Sequence, residues 1–383
     1  MPNLLTALAP TLFSAAQEVS AEPFGVVSAI NASFDDKGVA IGDKVKVPVA
    51  PTRAAKNYTP SMNPNNGNAG DDAAAAVVDV EITKNRFVDF HLTGEQERSL
   101  ANGGNDREWF RQIIAQAMRT IRNEAEADAA VAVKSGASRA VGAAGTTPFA
   151  TNLDAIVEAR ALLRANGAPM SDPQLVLAPA SVVNLQKLAI YQQADQAGSD
   201  AERRAGVLAR QFGFLIRDSA GIVKHVKGTA TGFDINNSLG YDVGAFVLAM
   251  DGGDGGTIKA GDIMTLAGDT NQYVINGAHA AFVAGDVVIG RPGLRAAVAN
   301  GVEATIGADY TPNLAFERNA VVGVMRPPII PASPLIDQLP VSDGKGMTYL
   351  LARVVGDGMV TWRLHLAWGF KVVQPEHVAL ILG

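Results

Sequence analysis

Alternating apolar and polar positions near the start of the chain predict a long hairpin. In residues 77–92 the apolar side chains fall mainly on even positions, which is the two-residue period of a half-buried strand. Residues 44–49 alternate in the same way. Between them, residues 52–76 are rich in Pro, Asn, Gly and Ala, a composition typical of loops. We therefore predict two strands that lead to an extended loop.

Helical periodicity marks two further segments. Residues 4–20 carry apolar side chains at intervals close to four, which predicts a short amphipathic helix. Residues 105–135 form the clearest helix, with Asn105 as a candidate cap and Glu108 three positions later. A helix of this length is roughly 45 Å long at 1.5 Å per residue. Together with the hairpin it predicts an elongated subunit.

The middle of the chain changes from mixed α/β to glycine-rich β structure. Residues 153–227 predict an α/β block of these elements: helices 153–165 and 180–188, and strands 174–177, 212–217 and 222–226. In residues 228–306 short apolar runs are separated by Gly and Asp, which predicts a small all-β module inserted between α/β-type stretches.

The last third of the chain predicts a linker followed by strands. Residues 326–340 are proline-rich and are interpreted as an extended linker. Residues 347–382 are predicted to be β, with apolar side chains from Val360 to Trp368 alternating with polar ones.

Composition narrows the chemistry that the chain can carry. The 383 residues have a formal net charge of −6, so a basic nucleic-acid-binding surface is not expected. The absence of cysteine excludes disulfides and thiolate sites. The first residues lack a basic segment, and no apolar run is long enough to cross a bilayer, so we expect neither a signal peptide nor a membrane helix.

No catalytic or metal-binding motif stands out. The chain has no P-loop and no Gly-x-Ser-x-Gly elbow, and its five histidines form no H-x-x-x-H pair. Each histidine is expected at a surface or strand position. The run from Asp251 to Asp254 is interpreted as a hairpin turn rather than a cation site. These observations predict that the chain is not an enzyme and holds no cofactor or metal.

Segments along nearly the whole chain are similar to one known family. The chain resembles the major coat proteins of lambdoid short-tailed phages, the P-twenty-two type. The matching segments, in order, are LLTALAPTLFSAAQEV, TPSMNP, VEITKNRFVDFHLTGEQERSL, QAMRTIRNEAEADAA, AGTTPFA, NGAPMSDPQLVL, GFLIRDSAGIVKHVKGTATG, AGDIMTLAGDTNQYVI, PGLRAAVA, YTPNLAFERNAVVG and LAWGFKVVQPEHVALILG. Residues 325–345 depart from the family pattern.

The resemblance implies an α+β fold, the tailed-phage major capsid fold of the Hong Kong 97 phage type, with an inserted small all-β domain. The expected parts, in order, are an N-terminal arm (1–30), an extended loop and peripheral domain with spine helix 105–135 (31–150), an axial domain (151–227), the inserted domain (228–306), a return to the axial domain with a linker (307–340), and C-terminal peripheral strands (341–383).

The function implied by the resemblance is structural. The chain would form hexamers and pentamers of an icosahedral shell around double-stranded DNA, in a virion assembled in the bacterial cytoplasm. Expected partners are further copies of the chain, a portal protein, packaged DNA bound without sequence specificity, and a decoration protein. Because the chain opens directly with the arm, a separate scaffolding protein is expected. Candidate inter-subunit contacts are Leu4, Leu5 and Leu8 in the arm and Arg53, Lys56 and Tyr58 in the loop.

Alternatives remain open at this level. The arm helix could dock on its own domain rather than on a neighbour, and residues 52–76 could be a surface loop without a partner. Within the same fold, the chain could be an encapsulin-like cellular shell protein. From other classes, it could be a soluble α/β enzyme with a β substrate-binding module, or a carbohydrate-binding protein.

Overall fold

A computed structural model describes residues 4–21, 25–33, 38–49, 76–102, 106–188, 210–331, 333–343 and 347–383. Its helices are α1 (Leu4–Ala21), α2 (Val26–Ala29), α3 (Gly94–Ala101), α4 (Asp106–Ser135), α5 (Asp154–Ala165) and α6 (Pro179–Lys187). Two 3-10 turns lie at Arg318–Ala320 and Pro375–His377. The predicted helices at 4–20, 153–165 and 180–188 are confirmed within one or two residues.

Helix α4 forms the longest helical element, with 30 residues. Its buried face includes Phe110, Ile114, Met118, Ile121 and Ala125, spaced as a helix packed on one side requires. The predicted helix over 105–135 is confirmed, while its candidate cap Asn105 lies outside the described residues.

A six-stranded sheet packs against α4. Its path runs β1 (Asn31–Ser33), β16 (Val321–Arg326), β19 (Met359–Val372), β18 (Thr348–Val355) and β17 (Ile336–Ser342), and β4 (Lys84–Thr93) also pairs with β19. The predicted alternation of β19 is confirmed, since Trp362 and Trp368 are fully buried. The Trp362 ring meets that of Phe110 edge to face, with centroids 4.9 Å apart, so α4 and the sheet share one core.

A nine-stranded sheet forms the second layer. Its order is β14 (Ala304–Ile306), β11 (Ile263–Leu266), β12 (Gln272–Val274), β5 (Arg139–Val141), β20 (Val378–Leu382), β15 (Pro312–Glu317), β6 (Pro173–Leu177), β8 (Phe214–Asp218) and β7 (Arg210–Gln211). Strands β6 and β8 confirm two predicted strands. The predicted strand 222–226 is wrong, because this segment forms only an isolated bridge between His225 and Tyr310.

The glycine-rich region has its own hydrophobic core but is joined to the main sheet. A three-stranded sheet contains β13 (Gly285–Val288), β10 (Val247–Asp251) and β9 (Asp234–Ile235). The buried cluster of this region includes Phe233, Leu248 and Phe282. Its other strands, β11, β12 and β14, extend the nine-stranded sheet through the pairing of β12 with β5. The short apolar runs predicted to be β in this region, 245–250, 263–266, 272–275, 287–289 and 302–306, coincide with β10, β11, β12, β13 and β14, with shifted ends.

The observed hairpin differs from the predicted one at its base. Strand β2 (Lys44–Val49) pairs with β3 (Ala76–Glu81), but residues 77–92 do not form one strand. The chain changes partners at Ile82 and Thr83: the Ile82 amide donates to the Asp43 carbonyl, and the Thr83 amide donates to the Trp368 carbonyl. Strand β4 then continues in the six-stranded sheet, so the single long strand is corrected to two strands.

The proline-rich segment is only partly a linker. Residues 336–340 belong to β17, where Pro340 lies opposite Leu350, so the linker prediction for 326–340 is wrong at its end. Strand β17 is at the edge of its sheet, where a missing proline N–H removes no ladder hydrogen bond. The α+β class is confirmed.

Candidate assembly surfaces

Helix α1 lies against α4 and β17 with one face buried. Leu8, Leu12 and Val19 are at most 1% exposed in their own chain. The predicted contact residues Leu4 and Leu5 lie in the first turn of α1. Leu8 would reach a neighbouring subunit only if α1 left this position. Among the described side chains of α1, the large apolar one that stays exposed is Phe13, at 47%.

The carboxylate of Glu18 joins α1 to α4. It accepts hydrogen bonds from the guanidinium groups of Arg111 and Arg119, the latter at 2.8 Å. These two arginines lower the pKa of Glu18 below its ordinary value of 4.5. The ion pairs are partly exposed, so their contribution to stability is modest.

Changing Glu18 to Gln should weaken the docking of α1 by a small, pH-dependent amount. At neutral pH we expect a loss of at most about 1 kcal/mol in the free energy of unfolding, since exposed pairs contribute little. Because the folded pKa is lowered, the contribution of Glu18 is present above 4.5 and is lost as the pH falls through the folded value. Urea unfolding at several pH values measures the difference. The matched control is Glu158→Gln on the exposed face of α5, and an equal loss there would contradict the assignment.

Glu126 connects three segments that are distant along the chain. Its side chain is 3% exposed and accepts hydrogen bonds from the amides of Val26, at 2.6 Å, and Val27, at 2.9 Å. It also accepts from the Ser219 hydroxyl at 2.7 Å. A carboxylate at the start of a helix satisfies amides that lack partners within the helix. One side chain of α4 thus holds both α2 and the loop after β8.

The loop around Ser219 fits closely into this junction. A Cβ on Gly25 would lie 2.2 Å from the Asp218 carbonyl oxygen, and one on Gly221 would lie 2.8 Å from Cγ of Glu126. Both positions therefore require glycine for close approach of the backbone. The role of Glu126 cannot be predicted from the sequence, because a buried glutamate in a charged helix is indistinguishable by pattern from a solvated one.

The base of the hairpin is anchored on the six-stranded sheet. Side chains of β2 and β3, including Val45, Val47 and Val78, pack against a small cluster with Val324 and Ala367. A cavity of about 550 Å³ lies beside this base, lined by Lys44, Val77, Val78, Asp79, Glu81, Thr83, Phe370 and Lys371. The ammonium of Lys371 donates to the Asp79 carbonyl at 2.9 Å.

The hairpin forms a sheet of two strands. Within the described ranges, β2 and β3 pair in a ladder only with each other. An isolated two-stranded ribbon is marginally stable, and its unpaired edges attract another strand. The predicted contact residues Arg53, Lys56 and Tyr58 lie outside the described residues, so their role stays a prediction.

The insert presents apolar side chains to solvent. Leu239 is 95% exposed at a turn in which Asn237 accepts from the Leu239 amide and donates to the Gly240 carbonyl. Val247 and Val288 lie opposite each other on neighbouring strands, and both are exposed. A contiguous exposed apolar patch indicates a contact surface, whereas single exposed apolar side chains are common on any protein.

The described histidines include one in a buried polar network. His225 is 5% exposed and lies between Lys134 and Asp262. This buried network differs from the surface or strand position predicted for each histidine, and its partners are far away along the chain.

The described acidic groups and histidines lack the arrangement that a metal ion requires. In the part of the chain that the structure describes, no three His, Asp or Glu side chains are grouped to hold a metal. Asp254 is occupied in its own turn, where it accepts from the Thr231 hydroxyl at 2.8 Å and the Gly256 amide at 2.9 Å. None of the described helices is both long and apolar enough to cross a membrane.

Comparisons with known proteins give likeness in structure only. No family model matches the chain, and no curated protein matches it in sequence. A chain from Mycobacterium phage Che8 is 15% identical, with 94% of this chain and 92% of that chain covered and a TM-score of 0.48. The capsid of the cyanophage P-SCSP1u is 12% identical, with 92% of this chain and 89% of that chain covered and a TM-score of 0.43. A virus-like particle from Pyrococcus furiosus is 9% identical, with 97% of this chain and 98% of that chain covered and a TM-score of 0.45. Likenesses at these levels do not assign a function to this chain.

Proposed function

We propose that this chain is the shell-building subunit of a tailed-phage capsid, similar to the P-twenty-two type. The observation that carries the proposal is the hairpin: β2 and β3 pair in a ladder only with each other among the described strands. A subunit that acts alone normally protects the edges of such a sheet. A subunit that lies among copies of itself satisfies them with its neighbours.

The surfaces described above suit assembly through many separate contacts. The exposed side of α1, the hairpin and the apolar turn at Leu239 belong to different parts of the chain. Repeated weak contacts let a misplaced subunit leave, while their number stabilises the closed shell. None of these contacts needs a cofactor or a catalytic group.

In the full proposal the copies form hexamers and pentamers of an icosahedral shell around double-stranded DNA. Assembly takes place in the bacterial cytoplasm with a separate scaffolding protein, and a portal protein occupies one vertex. A decoration protein on the outer surface is a further partner. The formal charge of −6 supports a wall around DNA rather than a clamp on it.

Negative-stain microscopy of the full chain tests the proposal directly. We expect uniform round shells when the chain is produced together with the scaffold candidate encoded beside it, and irregular or few particles when it is produced alone. Soluble monomers in every condition would contradict the proposal and favour an α/β enzyme or a carbohydrate-binding protein.

A second result separates the phage capsid from a cellular shell. Uniform closed shells from the chain alone, filled with a cargo enzyme, would favour the encapsulin-like alternative. Portal and terminase genes next to the coding sequence would favour the phage capsid.

A further inference from the structure

His225 is held between an amine and a carboxylate. Its Nδ1 lies 2.9 Å from Nζ of Lys134 on α4, and its Nε2 lies 2.8 Å from Oδ1 of Asp262, just before β11. The backbone of His225 also exchanges hydrogen bonds with Tyr310, and the two rings are 5.1 Å apart. Three segments distant in sequence therefore meet at one imidazole.

Both oxygens of Asp262 accept hydrogen bonds from the backbone. This carboxylate is 0% exposed and accepts hydrogen bonds from the amides of Gly228, at 3.0 Å, and Lys259, at 2.7 Å. An ionised carboxylate only accepts, so Nε2 of His225 carries a proton and donates it. Asp262 therefore orients the ring and leaves Nδ1 facing Lys134.

The contact between Lys134 and His225 holds one proton. A protonated amine can only donate, so Nδ1 must accept from it, and the ring is then neutral. If the amine is neutral instead, it either donates to Nδ1 of a neutral ring or accepts from Nδ1 of a charged one. In each case one proton lies between two nitrogens 2.9 Å apart, and when both groups are fully protonated the contact becomes two facing cations.

Other charged groups nearby do not offset the repulsion between a protonated Lys134 and a protonated His225. Lys259 lies near Lys134, and its ammonium is occupied by the Val226 carbonyl at 2.9 Å. Tyr310 donates its hydroxyl proton to the Gly261 carbonyl at 2.5 Å. The exposed pair of Lys224 and Asp309, 3.5 Å apart, lies on the solvent side. Asp262 is thus the single described carboxylate in contact with the imidazole.

We propose that the contact of His225 with Lys134 and Asp262 is a proton-sensitive latch between the spine helix and the insert. With one shared proton the latch is closed. Uptake of a second proton on acidification breaks the contact with Lys134 and releases the segments around 225–228 and 259–262 from the end of α4. This inference is independent of the shell-building function.

The packing makes the latch sensitive to small displacements. A Cβ on Gly261 would lie 2.8 Å from Cε of Lys134, and one on Gly228 would lie 2.7 Å from Oδ2 of Asp262. Burial also lowers the pKa of Lys134, with Asp262 opposing the change. A base with a lowered folded pKa binds more protons when released, so acid favours the open form.

Hydrogen exchange of the full chain, read by mass spectrometry between roughly pH 8 and pH 5, tests the latch. After correction for intrinsic exchange, amides in 225–228 and 259–262 should lose protection on acidification. An opening coupled to one proton changes by up to about tenfold per pH unit. The variant His225→Gln keeps an amide donor for Asp262, and glutamine does not titrate. In this variant the protection of the amides in 225–228 and 259–262 should therefore stay nearly constant with pH.

Two further variants keep the test decisive. Lys134→Met removes the second cation and should also abolish the pH dependence, even if His225→Gln fails to fold. His91→Gln changes an exposed histidine bonded to Thr361 and should leave the dependence as in the unmodified chain. Constant protection in the unmodified chain, or an unchanged pH dependence in Lys134→Met, would overturn the proposal.

Discussion

Replacing Glu126 by alanine should lower the free energy of unfolding of the subunit by about 3 kcal/mol or more, because three buried hydrogen-bond donors lose their acceptor. The change leaves the amides of Val26 and Val27 and the Ser219 hydroxyl without their acceptor in a buried site. Each such unsatisfied group costs roughly 1–3 kcal/mol. Urea unfolding followed by tryptophan fluorescence measures the loss, since Trp362 and Trp368 are buried in the core shared with α4.

Glu124 offers a matched control on the same helix. Its side chain is 38% exposed and pairs with Lys84 and Arg86. Because such surface pairs contribute little, Glu124→Ala should cost no more than about 1 kcal/mol. Glu126→Gln keeps one acceptor oxygen, so its loss in the free energy of unfolding should lie between those of the two alanine variants. Equal losses for Glu124→Ala and Glu126→Ala would show that Glu126 does not hold the junction.

Shortening the hairpin should leave the subunit folded and abolish uniform shells. Val49 and Ala76 are register partners, so residues 50–75 can be replaced by Asn-Gly, the two-residue turn that suits paired strands. The body of the subunit keeps its cores, because the cluster under the hairpin is built from β2, β3 and the six-stranded sheet. Circular dichroism and urea unfolding report on folding, and negative-stain microscopy reports on shells.

A second variant separates the length of the loop from its side chains. Changing Arg53, Lys56 and Tyr58 together to Ser keeps the length and removes the predicted contact groups. We expect fewer closed shells than with the unmodified chain, but more than with the shortened hairpin. Normal shells from the shortened chain would contradict the role of the hairpin, and normal shells from the triple variant would contradict these three contacts alone.

Elements with an uninterrupted period could be predicted from the sequence. Helix α4 keeps its apolar stripe over 30 residues, and β19 keeps its alternation from Val360 to Trp368. The break between β3 and β4 was missed because Val80 and Ile82 are both buried, so the alternation continues through the point where the strand changes partners. A period reports which side chains are buried, and not against which strand they lie.

The polar junctions could not be predicted for a different reason. Glu126 is separated by about a hundred residues from Val26 and by 93 from Ser219, and Lys134 by 91 from His225. No local pattern marks a contact over such distances. The strand expected at 222–226 failed similarly, since its apolar residues Val223 and Val226 are exposed, and the segment is held by His225.

The position of β19 and β20 in the two large sheets has a consequence for synthesis on the ribosome. β19 lies between β18 and the pair β16 and β4, and β20 lies between β15 and β5. Both strands are translated after all their partners. Neither sheet is complete until residues 359–382 have left the exit tunnel. A nascent chain that stops earlier therefore carries unpaired strand edges in both sheets. Unpaired strand edges of this kind attract other strands, so a chain that lacks these residues is expected to aggregate.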